Sequence, residues 1–231
     1  MSEISEPWLP SQIKSTPVPL EKRCEELRSE LRNRQPLILA ELSGVQYIES
    51  SGGRGQFTIG FWKIAQEFSW PELRPICNLV NGVNGGGSIP DQNSTLPPYV
   101  QALILYYLNT SDGTPLANKW ISFADLPGGR TYAPAFQGYS GNEIVKKFGE
   151  DVSAFQKTCT HIGGIRMDHA DSAYIFSPLP RLPLLAVYWL GDEEFPSTCK
   201  ILFDQSASHY LPLDACAVIG NLLTRKLISD H

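Results

Sequence analysis

Three apolar runs near the C-terminus constrain this chain more than any other feature. "SAYIFS" (172–177), "LLAVYWL" (184–190) and "CKILF" (199–203) are separated only by the links "PLPRLP" and "GDEEFPST". Runs of this length, rich in aromatic and branched side chains and bounded by Pro, Gly and Asp, read as β-strands. Links this short cannot carry a parallel crossover, so the three strands must form an antiparallel meander. "LPLDACAVIGNLLTRKLI" follows and reads as a closing helix, with Arg225 and Lys226 at the end where cations complement the helix dipole. Helices and strands occupy separate stretches instead of alternating. The pattern predicts an α+β fold with a mainly antiparallel sheet packed by helices.

The remaining chain fits that plan. Residues 1–19 carry Pro7, Pro10, Pro17 and Pro19 without periodicity and predict an extended arm before one domain over 20–231. In "LEKRCEELRSELRNR", Leu20, Cys24, Leu27 and Leu31 recur on one helical face. "VQYIES" and "GQFTIGFWKIA", divided by "SGGR", predict a hairpin. Residues 81–98, "NGVNGGGSIPDQNSTLPP", read as a flexible surface loop, because neither a G-K-[ST] nor a G-x-G-x-x-G pattern is present and no helix opens directly after the glycines. "PPYVQALILYYL" predicts a helix with Pro98 in its first turn and Val100, Leu103, Ile104 and Tyr107 on one face. "KWISFADLPGGRTYAPAF" reads as short strand and loop, and helical patterns follow at about 141–149 and 151–162.

Charge and composition exclude several function classes. The net charge is −5 with no basic block, which argues against a nucleic-acid partner. The five cysteines are widely spaced and form no C-x-x-C pair, so neither a zinc knuckle nor an iron–sulfur cysteine motif is indicated; buried free thiols are expected. The N-terminus lacks a basic and then apolar leader, and "LPLLAVYWLG" is only about half a membrane span. A cytoplasmic protein with no membrane association is expected.

The meander places its two links at opposite ends of the sheet. One end collects Asp168, His169 and Asp171 with Asp192, Glu193 and Glu194, which reads as a solvated acidic rim in the absence of any dedicated metal-ligand spacing. The other collects Arg181 with Asp204, Ser206, Ser208 and His209. Asp, Ser and His within six residues invite a catalytic triad, but triad members converge from separate segments, and an extended stretch from Asp204 to Ser208 would span roughly 13 Å. No G-x-S-x-G elbow is present. Asp204 and the serines are therefore expected to bond nearby backbone amides in turns ahead of the helix, with Asp204, Arg181 and His209 as candidate ligand-binding residues at the sheet edge. "CTHIGG" holds Cys159 and His161 as candidate axial ligands of a tetrapyrrole, although the C-x-x-C-H attachment pattern is missing.

Three stretches carry a family resemblance: "NTSDGTPLANKWISFADLPGGRTYAPAF", "GDEEFPSTCKILFDQSASHYLP" and the leucine-rich helix after them. Together, from about residue 97 onward, they resemble a prokaryotic family known as domain of unknown function 3786, frequent in anaerobes. Some members look fused to a four-cysteine iron–sulfur segment of the kind found beside corrinoid proteins. The resemblance thus implies a corrinoid-linked or redox role, while the iron–sulfur part does not carry over to a chain without that cluster. In the first stretch the glycines serve turns and Trp120 suits a core, which leaves Lys119, Arg130 and Tyr132 as further ligand candidates.

Three functions are consistent with these observations. The first is binding of a small molecule or cofactor, possible partners including a corrinoid or other tetrapyrrole, at Asp204, Ser206, Ser208, His209 and Arg181. The second is a protein-interaction or accessory subunit. The third is a hydrolase with His209 as general base, which requires a titratable partner within hydrogen-bond reach.

Overall fold

The structure, a computed structural model, describes residues 20–76 and 96–229. The expected arm at 1–19 and nearly all of the 81–98 loop lie outside the described residues. The order is α1 (Leu20–Arg32), α2 (Pro36–Ser43), β1 (Gln46–Glu49), β2 (Gly55–Phe61), β3 (Ile64–Trp70), α3 (Pro98–Thr110), β4 (Trp120–Ile121), α4 (Ala133–Tyr139), α5 (Gly141–Phe148), α6 (Val152–His161), β5 (Ile165–Met167), β6 (Ser172–Leu179), β7 (Leu182–Trp189), β8 (Thr198–Asp204) and α7 (Leu213–Ile228).

The meander forms as expected and is extended at both edges. The five strands run in the order β4-β8-β7-β6-β5, and every pair is antiparallel. In register, Tyr174 faces Ala186 and Leu184 faces Phe203, so Tyr174, Phe176, Leu184, Ala186, Tyr188, Cys199, Ile201 and Phe203 share one face. That face enters the main core with the helices. The opposite face carries Ala173, Leu185 and Val187 among Trp120, Met167, Ile175, Trp189 and Leu202. Two apolar faces explain why "LLAVYWL" reads as an unbroken run and not as an alternation.

The N-terminal hairpin departs from its expected form. "GQFTIGFWKIA" is not one strand: it breaks into β2 and β3 at Trp62 and Lys63, giving a three-stranded antiparallel sheet β1-β2-β3. Both turn residues have positive φ, 51° and 66°, a conformation that costs a non-glycine residue about 1–2 kcal/mol. Two contacts hold the tip: Trp62 donates its amide to Pro178 O of the second sheet at 3.0 Å, and Lys63 Nζ donates to Gly163 O, in the turn before β5, at 2.7 Å. Neither residue type signals such a turn. Phe57, Ile59 and Phe61 of β2 and Phe68 and Trp70 of β3 bury into the same core as the five-stranded sheet, so one apolar cluster runs from α1 to α7.

Two short helices, α2 and α4, escape periodicity because each is eight residues or fewer and carries proline at its first or second position. The chain before α4 makes tight turns in which Gly129 is indispensable for space. A Cβ there would stand 1.9 Å from Phe123 O, a main-chain atom that cannot step aside. Gly138, exposed on α4, has nothing within 4 Å of its missing Cβ. Gly129→Ala is therefore expected to destabilise the fold by about 1–3 kcal/mol, whereas Gly138→Ala should stabilise it by about 0.5–1 kcal/mol. Thermal unfolding of the two variants, read side by side, checks both signs.

Candidate functional site

The short strand β4 pairs with the end of β8, Trp120 opposite Asp204 and Ile121 opposite Phe203. This pairing lays the loop 111–119 along the turn 205–210 and lets them bond repeatedly. Gln205 donates its amide to Lys119 O at 2.9 Å, and the Ala117 amide donates to Asp204 Oδ1 at 3.0 Å. Tyr210 donates its hydroxyl to Thr114 O. His209 Nδ1 lies 2.7 Å from Asp112 Oδ2 and 3.1 Å from Thr114 Oγ1. The two stretches "SDGTPLANKW" and "FDQSASHYLP", far apart in the chain, thus form one clamp.

Asp204 is its anchor. It is 1% exposed, and its Oδ1 also accepts the Ser206 amide at 2.9 Å and the Ser206 hydroxyl at 2.6 Å, the expected turn. Burial opposes ionisation of Asp204, but the bonds from the Ser206 side chain and amide and from the amides of Ala117 and Asn118 prevail and hold its carboxyl below the ordinary value. The segment is not extended. Residues Ala207–His209 form a 3₁₀ turn, and Ser206 turns to Asp204 and not to His209, so no triad is assembled within it.

His209 and Asp112 form the exposed part of the clamp, with 46% and 50% of their side chains accessible. Asp112 is pre-positioned. Its Oδ1 accepts the Thr114 amide at 2.9 Å across a turn in which Gly113 takes φ +84°. The bond to His209, followed by those from Thr114, holds the Asp112 carboxyl down at about 2, so it is ionised at neutral pH. Behind the turn, Arg181 Nη1 donates to Gly113 O at 3.3 Å and to Leu42 O at 3.4 Å, where the carbonyl end of α2 favours a cation. Gly44, with φ +71°, gives it passage: a Cβ there would lie 2.9 Å from Arg181 Nε.

The other candidates lie as follows. Ser208 is half-buried, Lys119 and Arg130 are exposed, and Tyr132 sets its ring 6.2 Å from both Phe123 and Tyr139 in the aromatic cluster beneath α4. Among the described residues, no hydrogen bond or ion pair joins the Lys119, Arg130 or Tyr132 side chains to the Asp112–His209 pair. At the far end of the sheet, Asp171 accepts the Leu190 amide and Asp192 accepts the amides of Glu194 and Phe195, so these acids serve turns. No group of three or more His, Cys, Asp or Glu that could hold a metal ion occurs among the described residues. Cys24, Cys159, Cys199 and Cys216 are free and buried, and burial pushes the thiols of Cys159 and Cys199 upward. No helix among the described residues is long and apolar enough to cross a membrane.

Asp112 and Thr114 are the site residues that sequence reading missed. "SDGT" is a sufficient turn on its own terms, and only the pairing of Trp120 with Asp204 reveals that the turn faces His209.

Removing the anchor should be costly in a pH-dependent way. Asp204→Ala strands the buried amide of Ser206 and the part-buried bond from the Ala117 amide and is expected to cost about 3 kcal/mol, against about 1 kcal/mol for Ser206→Ala. Because the folded carboxyl lies below its ordinary value of 3.8, its stabilisation is present above about pH 4 and lost as pH falls through the folded value. Denaturant unfolding of wild type and Asp204→Asn across pH 2–6 should show that acid-side slope flattened in the variant.

A family model described as Domain of unknown function (DUF3786) matches residues 83–226, a span that takes in both halves of the clamp. No curated protein and no solved structure matches the chain. With more than half of its length inside that match, the chain belongs to the DUF3786 family.

Proposed function

We propose that the protein binds a small molecule or cofactor at the edge where β8 ends, and that His209 is the group that meets it. The supporting observation is the division of labour within the clamp. Asp204 and Ser206 are buried and engaged with each other and with backbone amides. Arg181 reaches two main-chain carbonyls. His209 is half exposed, and its bonds to Asp112 and Thr114 both use Nδ1, which leaves Nε2 outside the clamp. An imidazole oriented by an ionised carboxylate, on a half-exposed side chain with its second nitrogen unengaged in the clamp, is a ready recognition group.

The proposed link to corrinoid or redox systems is carried by the family resemblance alone. An iron–sulfur cluster does not fit the described cysteines, which are buried and belong to different elements. A second reading, general-base hydrolysis, is favoured by the Asp112–His209 distance of 2.7 Å. A base oriented by a third group is half of that machinery, with Nε2 taking a proton from a nucleophilic water or hydroxyl.

The test is carbon-edited NMR of the His209 ring signal during titration with amines, carboxylic acids, sugar phosphates, nucleotides and aquocobalamin. At least one class should move the His209 signal saturably, with a Kd of roughly 1 mM or tighter, while His161 and His169 stay still. Calorimetry should show the same ligand losing its binding to His209→Ala. A His209 signal unmoved by every class would refute the proposal.

A further inference from the structure

We propose that the outer face of the five-stranded sheet is the interface of a symmetric dimer, in which a second copy of this chain lays the same face upon it about a two-fold axis running across the strands. This inference is independent of the His209 reading. Helices join the core on one side of the sheet. The apolar cluster on the other side, built on Ala173, Leu185 and Val187, draws its members from the strands β4 to β8 themselves, so among the described residues no helix covers it. An antiparallel sheet face left to water normally carries polar side chains opposite the buried ones. Here Trp120, Met167, Ile175, Trp189 and Leu202 stand partly buried on the outer face, and Ile165, at its edge on β5, is 63% exposed. Leu190 and Phe195, 40% and 66% exposed, continue the apolar surface into the β7–β8 link.

The area fits a second copy better than a large rigid partner. With neighbouring strands about 4.8 Å apart and about 3.4 Å per residue, the outward rows cover roughly 400 Å². Leu190 and Phe195 at the rim bring two facing copies to about 1,000–1,200 Å² in total, the low end of specific interfaces. The face also tolerates its cation. Lys200 pairs with Val187 in register and sets its ammonium 6.0 Å from the centre of the Trp189 ring. Because β4 reaches only Asp204 and Phe203, β8 is the sheet edge beside Lys200. The stem can therefore lie against apolar surface while the charge stays at the rim.

Charge selects both the partner and the axis. One end of the sheet carries Asp168, Asp171, Asp192, Glu193 and Glu194, all exposed. The other end carries the cations Lys119, exposed ahead of Trp120, and Arg181 in the β6–β7 turn, with Asp112 bonded to His209. Two copies stacked with a two-fold axis along the strands would set acidic end on acidic end, which like-charge repulsion opposes. An axis across the strands lays each acidic link, with Phe195 in it, over the partner's Lys119 end. That arrangement is self-complementary, as a two-fold interface must be, and it keeps the strands of the two sheets aligned, a standard way for sheets to pack face to face.

Sedimentation velocity of the full chain at concentrations from about 1 to 500 μM tests this, and should show a monomer–dimer equilibrium with a Kd of roughly 1–100 μM. Ile165→Asp and Phe195→Asp alter exposed positions, so each should weaken dimerisation roughly tenfold or more while thermal unfolding of the dilute monomer stays as in wild type. Lys119→Glu alone, or Glu193→Lys with Glu194→Lys, should also weaken the dimer, and all three changes in one chain should restore it. A dimer indifferent to Ile165→Asp and Phe195→Asp overturns the inference, and charge reversals that fail to rescue each other overturn the axis. A wild type that stays monomeric throughout overturns it as well. Ile165→Asp then tells a face covered by the chain itself, where the variant loses stability, from one kept for a different protein, where it does not.

Discussion

The carboxylate of Asp204 is the contact on which the C-terminal half depends. It stands at the end of β8, 1% exposed, where a strand stops and the chain must reverse into α7. A buried anion in that place would be intolerable without donors. It receives them from its own turn through Ser206 and from across the fold through Ala117. The second source matters more for architecture, because it fixes a long loop that has no strand or helix of its own between Ser111 and Lys119. Edge strand β4 is only two residues long, and the Asp204 and Gln205 contacts give it a defined register.

That anchor explains why Asp204, Ser206 and His209 lie so close in the chain without forming a triad among themselves. Buried polar atoms must be bonded, and in the clamp the buried ones are bonded to each other: Asp204 to Ser206, and Tyr210 through its hydroxyl to Thr114 O. Arg181 satisfies the carbonyls of Leu42 and Gly113, linking the end of α2 to the same loop. Through Tyr107, whose hydroxyl accepts the Arg181 amide and donates to Ser43 O, α3 joins the arrangement. The clamp is thus wired into the N-terminal helices as well as the sheet.

Much of this was legible in the sequence where a local rule has no competitor. The meander follows from three short apolar runs and short links, and α1, α3 and α7 follow from their apolar stripes or end charges. The Asp204 turn follows from Asp and Ser two residues apart. The failures are equally physical. The break at Trp62–Lys63 depends on Pro178 of β6 and on Gly163 in the turn between α6 and β5, which supply the bonds that make a strained turn acceptable. The partnership of His209 with Asp112 depends on β4 pairing with β8, a contact between residues more than 80 positions apart that no local pattern encodes. The tilted ring contacts that Tyr132 makes with Phe123 and Tyr139 are likewise set by the folded arrangement and by no local pattern.

The separation of buried from exposed polar groups also decides where function should be sought. A side chain whose bonding capacity is consumed inside the fold has little left for a ligand, however unusual its sequence neighbourhood. By that criterion Asp204, Ser206 and Arg181 belong to the scaffold, although the sequence placed them beside His209 as equals. His209 differs because the scaffold occupies one of its nitrogens and thereby determines what the other can do. Asp112 enters as the partner that makes this choice, and its own geometry is set by Gly113 and Thr114. A turn, a threonine and a part-buried arginine contact thus orient one half-exposed ring. The clamp is also closed through Asp204, the Lys119 carbonyl and the Tyr210 hydroxyl, and the proposed ligand site rests on the one nitrogen, Nε2, that these contacts leave unengaged.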